Sequence, residues 1–208
     1  GSALAAISDV NMPVAESLAE RYGANACSSE DIIADSSIDA VLVATSTDTH
    51  SDLIEAATAA GKAVLCEKPV DLSLARAQAC LKAATASGKP VMIGFNRRFD
   101  PHFRAVRAAI DEGRIGDVEM VQITSRDPGA PPPSYITSSG GIFRDMTIHD
   151  FDMARFLLGD EVTTVYATAS VLVDPEIGKL GDYDSAMVVL TTASGKQCSL
   201  STSRRATY

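Results

Sequence analysis

The sequence has 208 residues, 46% of them hydrophobic, which is enough apolar material for one large domain or two smaller ones around a core. A formal charge of −9, from 27 acidic and 18 basic residues without any Lys/Arg block, argues against nucleic acid or an anionic membrane as partner. No apolar run approaches the roughly 18 residues of a membrane-crossing helix, and no basic-then-apolar leader opens the chain, so a cytoplasmic protein is expected.

In chain order, "ALAAISD" (3–9) predicts a strand and "MPVAESLAERYG" (12–23) a helix ended by Gly23. A strand "AVLVAT" (40–45), a helix "TDTHSDLIEAATAAG" (47–61) and a strand "AVLCE" (63–67) follow. The helix "SLARAQACLKAATASG" (73–88) and the strand "VMIGF" (91–95) complete a βαβαβαβ series, the signature of a parallel sheet with crossover helices. The pattern then changes. A helix at 100–113, the strand "VEMVQITSR" (118–126), a Pro-rich loop (127–135) and a long helix at 140–159 precede three β-rich runs at 163–173, 184–192 and 197–203. The alternation in those runs suits an antiparallel sheet with one buried face. A boundary near residue 97 divides the chain into units of 1–97 and 98–208.

Cys27, Cys66, Cys80 and Cys198 are widely spaced without a CxxC pair, so neither a zinc site nor a disulfide framework is expected, and no metal is. Reduced, mostly buried thiols are the expectation.

The long helix raises a physical question. Asp145, His149 and Asp152 stand at i, i+4 and i+7, which places them in one row of a regular helix, bordered by Met146, Ile148 and Met153. Ionisable groups in apolar surroundings need partners, so this face is read as one wall of a polar pocket. A second focus is "LCEKPV": Lys68 follows an apolar strand that Pro69 terminates. Ligands of open α/β sheets bind beyond the carboxyl ends of the strands, which places Lys68 at the crevice.

Three stretches together, "EKP" at 67–69, "GFNRRFDP" at 94–101 and "GGIFRDMTIHDFDMARFLLG" at 140–159, resemble the Gfo/Idh/MocA family of NAD(P)-dependent oxidoreductases over the whole chain. The resemblance implies an α/β fold. It comprises a Rossmann-type parallel-sheet domain, without its first strand and Gly-rich turn, followed by an α+β domain with an open, mainly antiparallel sheet, incomplete at the chain end. It implies NAD-dependent oxidation of a cyclic polyol's secondary alcohol to a ketone, with myo-inositol converted to scyllo-inosose as the leading expectation. Alternatives are another sugar or polyol dehydrogenase, of the scyllo-inositol or glucose type, or a non-catalytic dinucleotide-binding homologue.

The resemblance also implies that Lys68, Asp145 and His149 are the catalytic triad. Chemistry agrees: alcohol oxidation needs a base for the hydroxyl proton as hydride leaves carbon, and imidazole suits that near neutrality. His149 is the expected base, Asp145 its orienting carboxylate, and Lys68 the donor to the reacting oxygen. Arg98 matches a substrate-pocket arginine, Asp152 is a candidate partner for substrate hydroxyls, and Tyr208 falls near a substrate-touching tyrosine of the family. Arg97 is read as structural, His102 as a surface residue, and Arg126 and Asp127 as weaker substrate candidates.

For the cofactor, Asp9 ends the strand "AAISD", where a carboxylate accepts bonds from the adenine ribose hydroxyls and repels a 2′-phosphate. NAD is therefore favoured over NADP. Thr45, Ser46, Thr47 and His50 follow the next strand and are expected along the dinucleotide crevice, with Glu67 and Lys68 near the nicotinamide. No GxGxxG occurs, and "SRRATY" leaves the last sheet unfinished, so the chain reads as part of something longer. If the molecule began at Gly1, NAD affinity should be severely reduced. An exposed sheet face predicts a homo-oligomer, dimer or tetramer.

Overall fold

The computed structural model describes residues 1–206 and divides into two compact units, Gly1–Gly94 and a second from Phe95 onward. The first unit runs β1 (Ala6–Ile7), α1 (Met12–Tyr22), β2 (Asn25–Ala26), α2 (Ser29–Ala34), β3 (Ala40–Val43), α3 (Thr47–Ala59), β4 (Ala63–Cys66), α4 (Leu74–Ser87) and β5 (Val91–Ile93). Strands β1 and β2 pair in parallel, and β3, β4 and β5 form a second parallel sheet with β4 central.

Local chemistry sets these boundaries. Pro13 occupies the first turn of α1, where its missing N–H costs nothing, and Gly23 and Gly88 end α1 and α4 in the left-handed region at φ 69° and 67°. The Ser28 hydroxyl accepts from Asp31 N–H to cap α2. The core of this unit is Val43, Ile54, Ala57, Val64, Cys66, Cys80 and Ala84, so α3 and α4 both bury their Ala-rich faces. Burial pushes the Cys66 thiol up to about 12, which keeps it protonated and inert. The short β2 and α2 escaped the periodicity reading because each is too brief to show a period.

The second unit contains a 3-10 turn (Asn96–Phe99), α5 (Pro101–Asp111), β6 (Met120–Arg126), α6 (Pro133–Ser139), a π turn (Ile142–Met146), α7 (Ile148–Leu158), β7 (Val162–Ser170), α8 (Pro175–Lys179), β8 (Ser185–Thr192) and β9 (Gln197–Ser203). Its sheet has the order β6-β9-β8-β7, with β6 parallel to β9 and the other pairs antiparallel. One face of β8 and β9 is buried under α7, through Val188, Leu190, Cys198 and Leu200 against Ala154 and Leu158. The opposite face leaves Met120, Tyr166, Met187 and Val189 exposed.

The long helix expected at 140–159 is broken. Gly140 and Gly141 have φ of 86° and 75°, conformations that L side chains avoid, and a side chain at Gly141 would collide with Asp182. Asp182 Oδ1 accepts from Ile142 N–H at 3.0 Å, and Thr147 N–H donates five residues back to Ile142 O at 2.8 Å. Asp145 therefore sits in a π turn that feeds α7, not in one regular helix with His149 and Asp152.

Candidate active site

In the first unit the carboxyl ends of β1, β3 and β4 carry the residues read as a cofactor crevice. Asp9 lies two residues beyond β1, and its Oδ1 accepts from Asn11 N–H at 2.7 Å, so the carboxylate also shapes the turn into α1. Thr45 and Ser46 link β3 to α3, which Thr47 opens. The Ser46 side chain makes no cap bond, while Thr45 and Thr49 hydroxyls lie 2.6 Å apart. His50 is 1% exposed, and its two ring nitrogens face Pro69 O at 2.7 Å and Thr45 O at 3.1 Å. The imidazole thus ties the loop after β3 to the loop after β4.

Lys68 lies two residues beyond β4, joined to Pro69 by a cis peptide bond, and the Glu67 carboxylate packs on Gly94 so closely that an added Cβ would lie 3.2 Å from Oε2. These residues fit a dinucleotide's needs: a carboxylate at one strand end, hydroxyls at a helix start, and a carboxylate and an ammonium together at the third strand end.

In the second unit His149, half-buried in the first turn of α7, meets Phe95 edge to face with ring centroids 6.4 Å apart. Asp145, four residues earlier, accepts from the Tyr135 hydroxyl at 2.9 Å. Asp150 is fully buried, bonded to Arg97 and accepting from Thr202 Oγ1 at 3.5 Å. Burial raises the Asp150 carboxyl and Arg97 opposes that shift. Asp127, just beyond β6, is likewise raised by burial; Arg204 and Arg97 oppose the shift, and Asp145 and Asp150 reinforce it. Asp127, Asp145 and Asp150 thus share one electrostatic neighbourhood with Arg97 and Arg204.

Arg98 and Asp152, named separately as substrate partners, form a bidentate ion pair here, with Nε–Oδ2 of 2.8 Å and Nη2–Oδ1 of 2.6 Å. The Arg98 guanidinium also stacks 5.1 Å from the Phe156 ring centre. It lines a surface cleft of about 550 Å³ with Arg107, Arg155 and Phe156. The arginines there are matched to Asp152, Asp111 and Glu161, so the cleft is no anion site. Arg126 donates to Ser201 O at 2.6 Å and braces the β6–β9 pair. His102 is exposed at the start of α5. Tyr208 lies outside the described residues.

Three contributors escaped sequence reading. Tyr135 sits in a Pro-rich stretch that reads as loop. Asp182 and Asp184 look like turn residues, yet Asp182 holds Ile142 N–H, and buried Arg204 donates to it at 3.1 Å. Asp184 accepts from the backbone N–H groups of Leu172, Val173 and Asp174 at 2.8 to 2.9 Å. An aspartate closing a segment of turns was the available signal. Among the described residues no group of three or more His, Cys, Asp or Glu is placed to hold a metal ion, and no helix is long and apolar enough to cross a membrane.

Comparison with known proteins adds identity to this geometry. Residues 1–95 match the model of the oxidoreductase family with an NAD-binding Rossmann fold, and residues 103–208 match that of the GFO/IDH/MocA C-terminal domain. The inositol 2-dehydrogenase of Rhizobium meliloti (strain 1021) is 61% identical over 205 residues, covering 99% of this chain and 62% of the relative. The myo-inositol 2-dehydrogenase of Thermotoga maritima is 47% identical over 207 residues, with 99% and 62% covered. The crystal structure of a myo-inositol dehydrogenase from Corynebacterium glutamicum superposes with a TM-score of 0.93 at 41% identity, covering 98% of this chain and 61% of that one. The chain thus spans less than two thirds of the length of these relatives. With both family models matched in order and one fold shared throughout, the chain belongs to the Gfo/Idh/MocA family of oxidoreductases.

Proposed function

We propose that the protein oxidises a secondary hydroxyl of a cyclic polyol to a ketone with NAD as acceptor, myo-inositol giving scyllo-inosose. The observation that carries this reading is the placement of a half-buried imidazole, His149, at the start of α7, four residues after the Asp145 carboxylate in the π turn that feeds that helix. A nicotinamide dinucleotide bound in this crevice would supply the acceptor for the hydride that leaves the carbinol carbon. His149 accepts the hydroxyl proton, Asp145 orients the ring and favours its protonated form, and Lys68 donates to the oxygen on which negative charge develops. Asp9 would hold the adenine ribose hydroxyls and disfavour a 2′-phosphate, and Thr45, Ser46, Thr47, Glu67 and Lys68 would line the dinucleotide, with His50 bracing their loops.

The inositol-acting relatives support a cyclic polyol as substrate. Arg98, Asp152 and Tyr208 would contribute hydroxyl recognition, the first two through whatever donor and acceptor capacity their mutual pair leaves. The exposed sheet face with Met120, Tyr166, Met187 and Val189 suits pairing with a second copy, as a dimer or tetramer.

The test is NADH formation by the protein at its full natural length with myo-inositol, scyllo-inositol and glucose in parallel. Turnover on myo-inositol is expected, with His149→Ala losing at least about 100-fold in kcat while still folding. NAD binding without turnover on any polyol would instead support a non-catalytic homologue. Full activity in the His149 variant would remove the base assignment.

A further inference from the structure

We propose that Tyr135 is a positioning residue for the Asp145–His149 pair, an inference that rests on the dehydrogenase reading and extends it to a residue outside the triad. The structural case begins with α6. Pro131, Pro132 and Pro133 restrict the backbone leading into it, and Gly140, at φ 86°, ends it. Ile136 and Ser139, each 4% exposed, anchor the helix, so Tyr135 is presented from a fixed turn. Its ring is 45% exposed, yet its hydroxyl reaches Asp145 Oδ1 at 2.9 Å. A phenol donor on one carboxylate oxygen fixes the rotation of the Asp145 side chain and spreads its charge, leaving the second oxygen for other work.

The surroundings make the effect on proton transfer directional. The charge of Arg204, after β9, acts on the Tyr135 phenol, and Asp127, after β6, interacts with Asp145, Arg204, Arg97 in the 3-10 turn and Asp150 on α7. Burial first, and then the bond to Asp145, pushes the Tyr135 phenol up to about 12, so it stays a donor throughout the working range. Without that donor the Asp145 charge is less shared, holds a protonated His149 more tightly, and requires a higher pH before the imidazole is free to act as base.

The experiment compares wild type, Tyr135→Phe and His149→Ala at full natural length, reading kcat and KM for myo-inositol across pH. Tyr135→Phe is expected to lose roughly 5- to 10-fold in kcat with KM changed less than about 2-fold. The acid limb of its kcat/KM profile should move up by about half a pH unit. A rise in KM alone would make Tyr135 a direct substrate contact and overturn the proposal. A kcat loss with an unmoved acid limb would leave only a structural role and overturn it as well.

A second readout needs no turnover. The chain has five tyrosines, so the ultraviolet difference titration between wild type and Tyr135→Phe isolates this phenol. Its midpoint should fall when Asp145→Asn removes the carboxylate; an unchanged midpoint would mean the bond is not formed. No polyol turnover by wild type removes the dehydrogenase reading and this inference together. Turnover by wild type with Tyr135→Phe indistinguishable from it removes only the inference.

Discussion

Arg97 and Arg98 are adjacent in sequence and diverge in role because a 3-10 turn rotates successive side chains by about 120°. Arg97 reaches the fully buried Asp150 and Arg98 the nearly buried Asp152. A carboxylate with no exposure depends on its cation, since a lone charge there has no water to turn to. Arg97→Ala should therefore lower stability by about 3 kcal/mol, and adding Asp150→Asn should recover part of that loss. Denaturant unfolding of the two variants checks both statements. His149 differs from Asp150 and Asp152 in exposure. It is half-buried, which suits the proton exchange proposed for it.

At the scale of elements, the turn preceding β8 does two jobs. Asp182 holds the start of the π turn that carries Asp145, and Asp184 gathers the backbone N–H groups of Leu172, Val173 and Asp174 together with the Ser185 hydroxyl. Burial pushes the Asp184 carboxyl up, but those four donors outweigh it and its net position is below the ordinary value of 3.8. A carboxylate depressed in the folded state contributes stability that is complete above the unfolded value and fades as pH falls through the folded one. Asp184→Ala should cost about 2 to 4 kcal/mol at neutral pH, because three backbone N–H groups lose their shared, buried acceptor. Its thermal midpoint should approach that of wild type as pH drops below 3.8, the ordinary carboxylate value. A deficit that stayed constant down to strong acid would contradict the account.

At the scale of the whole molecule, the proposed function makes cofactor choice turn on Asp9. One of its oxygens is engaged by Asn11 N–H, and the proposed role leaves the carboxylate charge to meet the adenine ribose hydroxyls. Asp9→Ser in the full-length protein should raise the KM for NAD about tenfold and narrow the NAD-over-NADP ratio by at least that factor. Steady-state kinetics with both cofactors measures it, and an unchanged ratio would assign Asp9 to the turn alone.

Much was legible in the sequence. Strand and helix periods located the βαβ series, since alternation and 3.6-residue spacing follow from burying one face of each element, and the EKP and D-x-x-x-H-D spacing pointed to the family. Other features depended on residues distant in the chain. Gly141 has its unusual conformation because Asp182 occupies the space a side chain would need, and that contact spans 41 positions. The broken helix and the capture of Asp152 by Arg98 depend on such long-range encounters, while the phenol of Tyr135 reaches Asp145 across the chain reversal at Gly140 and Gly141. Local pattern determined which segments became strands and helices and which residue types could do alcohol chemistry. Only the tertiary structure decided which charges neutralise one another, because pairing depends on where the chain returns and periodicity carries no record of that.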